Sequence, residues 1–424
     1  MRHWVLTGTA LVLLTGGAAS AQERPIDQTL RFLQSKVAAD PDDAGAHNRL
    51  AGAYIRKARE SGDIAYYGLA EQTAQRSLQL VPSGPVAARA HALVAVVQLT
   101  RHQFRDVLVS VRAALDQDPS EQTPQAIAGD ALIELGDYDE AGRAYARLAG
   151  LDGPTRPDAR VAYLKFLRGD TPGAIASMRE AVARTAAAVP LGEPLAWMRT
   201  QLGHLLLGAN DLAGAEAAYR DALTALPGYH SALAGSAAMQ AARGKLQDAA
   251  ALYQKALAAV PLPEYATALG DVYMRLGRTT EASKQYALVE YIGALNAINK
   301  EIYNRDLALF YADHDLKRRH ALELAERELT ARRDVYTYDV LAWSYYKNGN
   351  PEAALPAMTE ALKLGTKDAR LFFHAGMIHH ALGHPEQARD YLQRALATNP
   401  SFHVLQAGVA RRTLKALEGG QSSP

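Results

Sequence analysis

Apolar residues along this chain recur three and four positions apart, and the stretches that carry them come in pairs. Leu341, Ala342 and Tyr345 share one face of a predicted first helix. Ala354, Met358 and Ala361 share one face of a predicted second helix. The polar turn between them, GNPEAA, has Gly349 to end the first helix and Pro351 to open the second. Thirty-four residues on, the pattern returns as Phe372, Ala375, Gly376, His379, Gly383, Ala388, Leu392 and Ala395. Small residues at Ala342, Ala354 and Ala361, and at their counterparts, let paired helices approach closely. A lone pair cannot bury its own apolar face, so copies must stack.

The same frame can be laid from Ala44 to Phe402 in about ten units. The first carries an insertion around ARESGDIAYY. The third has the turn GDYDEA, and the seventh has a second helix that runs on through YIGALNAINKEIYN. The eighth is the most degenerate, with the turn DHDLKR in place of one with glycine. Residues 22–43 are expected to form an N-terminal capping helix, and 403–418 a C-terminal one with a polar outer face, as the ends of a repeat array require. A hinge is expected at 185–195, where Pro190, Gly192 and Pro194 cluster. Residues 419–424 are expected to be a disordered tail.

These phased units resemble the tetratricopeptide repeat family. The resemblance covers Ala44–Phe402 and implies an all-α, right-handed superhelical solenoid of about ten helix–turn–helix units. It further implies a concave groove lined by first helices that binds a protein or peptide, as a scaffold or adaptor and not an enzyme. In the family, slots 2, 5, 9 and 12 of a unit face that groove. In repeat nine they fall on Tyr336, Asp339, Trp343 and Tyr346, and in repeat ten on Arg370, Phe373, Met377 and His380. Repeat five contributes Trp197 and His204, and repeat four Tyr163 and Phe166. Trp, Tyr, Met and Arg suit interface anchors, although aromatics packed between repeats would give the same pattern.

Composition changes this picture in two places. A net charge of +1 gives no reason to expect nucleic acid or an anionic membrane as partner. The absence of cysteine excludes disulfides, thiolate metal sites and cysteine nucleophiles. At the N-terminus, Arg2, the apolar run Trp4–Thr15 and Ala19-Ser20-Ala21 read as a signal peptide over residues 1–21. Its cleavage would leave Gln22 first in a periplasmic chain with no integral membrane segment. An uncleaved anchor is the alternative, since the stretch is close to the roughly 20 apolar residues needed to span a bilayer.

No catalytic motif is present: no G-x-S-x-G, H-E-x-x-H, phosphate loop or C-x-x-C. No cofactor is expected. His374, His379, His380 and His384 lie within eleven positions and suggest a metal-handling alternative. Helical geometry speaks against it, because residues five apart do not share a face. Asp313, His314, Asp315 and His320 form a second polar cluster, read as turn and capping residues, with Asp315 as the helix N-cap. A non-catalytic accessory subunit of an envelope enzyme is a further alternative.

Overall fold

The computed structural model describes residues 25–149, 158–298 and 304–419. The expected signal peptide and the residues after Gly419 lie outside them. Among the described residues there are 22 helices and no strands. The chain divides into two compact units, one holding residues 25–149 and the other holding residues from Asp158 onward.

In the first unit, α1 (Pro25–Ala39) precedes three hairpins: α2 (Ala44–Ser61) with α3 (Ala65–Leu80), α4 (Pro85–Thr100) with α5 (Phe104–Gln117), and α6 (Thr123–Leu135) with α7 (Tyr138–Ala149). The expected insertion in repeat one lengthens α2 to 18 residues before Gly62 turns the chain in the left-handed conformation.

The second unit begins with α8 (Asp158–Leu167) and α9 (Thr171–Ala188), α10 (Glu193–Gly208) and α11 (Leu212–Ala225), and α12 (His230–Ala242) and α13 (Leu246–Ala259). It continues with α14 (Pro263–Arg275) and α15 (Thr279–Ile298), and α16 (Asn304–Asp313) and α17 (Arg318–Glu328). Then come α18 (Val335–Lys347) and α19 (Pro351–Leu362), α20 (Ala369–Ala381) and α21 (Pro385–Thr398), and the closing helix α22 (Gln406–Gly419). Within each unit every helix of a hairpin packs most closely on its partner, and first helices also touch across neighbouring repeats, as α16, α18 and α20 do.

Energetics explain why the hairpins stack. Ordering a backbone costs about 1–2 kcal/mol per residue. The second helix of repeat nine buries Ala354, Ala357, Met358 and Ala361, and a fully buried side chain of methionine's size returns only about 2 kcal/mol. One hairpin therefore cannot stand alone.

Two local rules place the side chains. Position 15 of each repeat after the first adopts a positive φ to reverse the chain. Glycine holds it at 136, 169, 244, 277, 349 and 383, while His102, Asn210 and Asp315 hold it elsewhere. Histidine, asparagine and aspartate are the non-glycine residues that most readily accept this conformation. Asp315 is therefore the turn residue of repeat eight and not the expected N-cap. Lys317 precedes α17, with no side-chain cap.

The second rule joins positions 8, 9 and 24. In repeats three, five and seven, glycine at position 8 leaves room for a tyrosine sixteen residues later. A β-carbon on Gly129, Gly203 or Gly270 would collide with the rings of Tyr145, Tyr219 or Tyr286. Each hydroxyl then meets the polar residue at position 9: Asp130 at 2.9 Å, His204 at 2.8 Å and Asp271 at 2.8 Å.

In the second unit the array bends far enough to meet itself. The hydroxyl of Thr366, just after α19 of repeat nine, donates to the carbonyl of Leu167 at 2.5 Å. The amide of Asn399, just after α21 of repeat ten, donates to the carbonyl of Leu207 at 2.9 Å. Gly169 permits the first contact, since the carbonyl of Gly365 occupies the space a β-carbon would need. The expected hinge at 185–195 spans the end of α9 and the start of α10, and it is tied down where the N–H of Gly192 donates to the carbonyl of Ala225 at 2.8 Å.

Candidate functional site

The first helices of repeats seven to ten carry the chemistry. Exposure divides the eight residues expected to line an open groove. Tyr336, Asp339, Trp343, Phe373 and Met377 are buried, Tyr346 and Arg370 are half-buried, and His380 is exposed. The buried five form a packed layer and not an open surface, because neighbouring first helices bring their side chains face to face. The Trp343 ring stacks on His374 at 4.1 Å and on Tyr346 at 4.7 Å, and meets Phe373 edge-inclined at 5.7 Å. His374 Nδ1 lies 2.7 Å from Asp339 Oδ1. The Tyr336 hydroxyl donates to Asp368 at 3.2 Å. Further back in the array, Tyr163 and Phe166 are buried and stack on each other, while Trp197 and His204 are half-buried.

Beneath this layer two carboxylates gather donors from distant repeats. Asp313, the last residue of α16, accepts from Trp343 Nε1 at 2.8 Å and from Gln406 Nε2 at 2.7 Å, with Arg370 at 3.9 Å. Asp271 on α14 faces His314 Nε2 at 2.7 Å, His403 Nε2 at 3.3 Å and the Tyr286 hydroxyl at 2.8 Å. Burial alone would push the Asp271 carboxyl up. Hydrogen bonds from His314 and His403 outweigh it and hold the group well below the usual carboxylate range. For Asp313 burial likewise pushes up, and the charge of Arg370, followed by the nearby imidazoles, prevails to lower it.

The protonation of His314 follows from its partners. Its Nδ1 faces the carbonyl of Phe310 at 2.7 Å and its Nε2 faces Asp271. Both partners are acceptors, so both ring nitrogens carry protons and the ring is an imidazolium. Burial works against this charge, but the bond to Asp271 and that carboxylate's charge prevail and raise the histidine above its ordinary value. His403 differs. Its Nδ1 accepts from the N–H groups of Leu405 and Gln406 at 3.2 and 3.3 Å, which leaves the Nε2 proton pointing at Asp271.

Asp271, Asp313, His314, His403 and Gln406 were not legible as one site. Asp313 and His314 stand out in the sequence, but next to a turn. Their partners lie 43 and 93 residues away. One signal existed: Asp271 occupies position 9, the slot of Trp343 in repeat nine.

The four clustered histidines do not converge. His374 faces Asp339 in the interior, His380 is exposed, and only His379 and His384 meet, with Nδ1 atoms 3.3 Å apart beside Tyr391. Among the described residues no group of three or more histidines and carboxylates is arranged to hold a metal ion. His320 sits beside Glu323 on the surface.

A tetratricopeptide repeat family model matches residues 200–262 and 340–401. No curated protein matches the chain. Among solved structures the chain is similar to the crystal structure of the APC/C hetero-tetramer Cut9-Hcn1, at 16% identity over 92% of this chain and 93% of that one, with a TM-score of 0.36. It is also similar to a tetratricopeptide repeat protein from Parabacteroides merdae, at 18% identity over 65% of this chain and 100% of that one, again with a TM-score of 0.36. Neither likeness carries a partner over to this chain.

Proposed function

We propose that this chain, whose residues 200–262 and 340–401 match a tetratricopeptide repeat family model, is a protein-interaction scaffold that holds a protein or peptide segment on the inner wall of repeats nine and ten, in the periplasm and without catalysis. One observation carries this reading. Tyr346, Arg370 and His380 remain reachable at the edge of a rigid aromatic layer formed by Trp343 and Phe373. Partly exposed Tyr and Arg backed by packed aromatics are the composition of binding hot spots. Export rests on the apolar leader that ends in Ala19-Ser20-Ala21. Among the described residues no helix is long and apolar enough to cross a membrane.

Changing Tyr346, Arg370 and His380 together to alanine is expected to lower crosslinked capture of an envelope protein at least about tenfold with helix content intact. Unchanged capture would remove the site. Mass spectrometry of the fractionated protein is expected to find Gln22 at the N-terminus in the envelope fraction. A cytoplasmic chain that still begins at Met1 would end the export reading.

A further inference from the structure

The segment between repeat ten and α22 does more than cover an end. A solenoid cap buries the outer face of the last repeat. Here α22 buries only Gln406, Ala407 and Ala410, and its lead-in reaches back to residues two and three repeats upstream. Phe402 lies on Phe373 with ring centroids 5.4 Å apart. His403 reaches Asp271, and Gln406 reaches Asp313. These are an aromatic contact and two hydrogen bonds to carboxylates, the contacts by which a groove would hold a peptide.

We infer that residues 402–406 are an intramolecular ligand of the inner wall, and that a partner gains the wall by displacing them. The inference rests on reading that wall as the binding site. The wall's own chemistry defines the displacing segment. Asp271 and Asp313 accept hydrogen bonds and carry charge, so the segment presents an aromatic residue followed by donors one and four positions later. Imidazole, amide, guanidinium or ammonium groups all qualify as donors. Release is local because so little apolar surface of α22 is buried. Asp271 would retain His314 and Tyr286, and Asp313 would retain Trp343, so neither carboxylate would be left without a donor.

The probe is a fluorescent peptide with the sequence of residues 399–410. It is expected to bind the Phe402→Ala, His403→Ala, Gln406→Ala triple variant at least about tenfold more tightly than the unaltered protein, while a scrambled peptide binds neither. Equal binding to both proteins, or binding to neither, overturns the inference. Hydrogen exchange on the unaltered protein gives a second test that needs no variant. Amides of 406–418 are expected to exchange through local opening, well before those of Val340–Ser344. Protection equal to that of Val340–Ser344 would make the segment a structural cap and overturn the inference. The peptide result does not depend on any natural partner. Peptide binding together with unchanged envelope capture by the Tyr346, Arg370, His380 variant would keep the latch and remove only the proposed partner site.

Discussion

Asp130 in the first unit and Asp271 in the second occupy the same position of their repeats, and each accepts a hydrogen bond from a tyrosine fifteen residues later. Up to that point they are one design written twice. Asp130 on α6 is half-buried. Asp271 is 2% exposed and also holds His314 and His403, from a neighbouring repeat and from the chain's closing segment. The glycine, the polar residue and the tyrosine fix the local pair. What the pair is worth depends on whether other parts of the chain close over it.

The sharpest way to break this comparison is to remove both carboxylates. Asp271→Ala strands a buried imidazolium and is expected to cost about 3–5 kcal/mol. Asp130→Ala removes a partly solvated hydrogen bond and is expected to cost about 1 kcal/mol. Urea unfolding followed by circular dichroism measures both, and equal losses would mean that closure adds nothing.

A smaller effect tests the local rule itself. Gly203→Ala places a methyl group into the ring of Tyr219, an overpacking expected to cost about 1–3 kcal/mol. Gly52→Ala meets only Leu93 at 3.9 Å and is expected to stabilise by about 0.5–1 kcal/mol, because alanine suits a helix interior better than glycine. Thermal midpoints moving in the same direction would refute the rule.

The smallest expected effect is the pH dependence that His314 gives the second unit. His314 titrates above its ordinary value when folded, so its contribution is complete below the ordinary histidine range near pH 6.5. That contribution declines as pH rises through the higher folded value. The urea midpoint of the unaltered protein is expected to fall over this interval, and that of His314→Gln to stay flat by comparison. Parallel curves would show that His314 is not the charged partner of Asp271.

Much of the fold was legible because its causes are local. The alanines that face each other within hairpins, Pro351 and Pro385 at helix starts, and the glycine turns act within one repeat, so a period of 34 residues reveals them. The degenerate turn of repeat eight was legible as a departure but not in its role. Aspartate serves both as an N-cap and as a left-handed turn residue, and only the backbone at Asp315 distinguishes the two. The site was less legible. Trp343 and Phe373 were expected on the inner face, with packing between repeats as the alternative, and Phe402 and His374 bury them from outside their own hairpins.

By itself the sequence determined that this chain is a stack of paired helices, because helical periodicity and turn chemistry operate over a few residues. The tertiary structure alone decided that Thr366 meets Leu167, that Asn399 meets Leu207, and that His403 and Gln406 fill the wall at Asp271 and Asp313. Those contacts depend on small rotations accumulated over several repeats, and no single repeat encodes that sum.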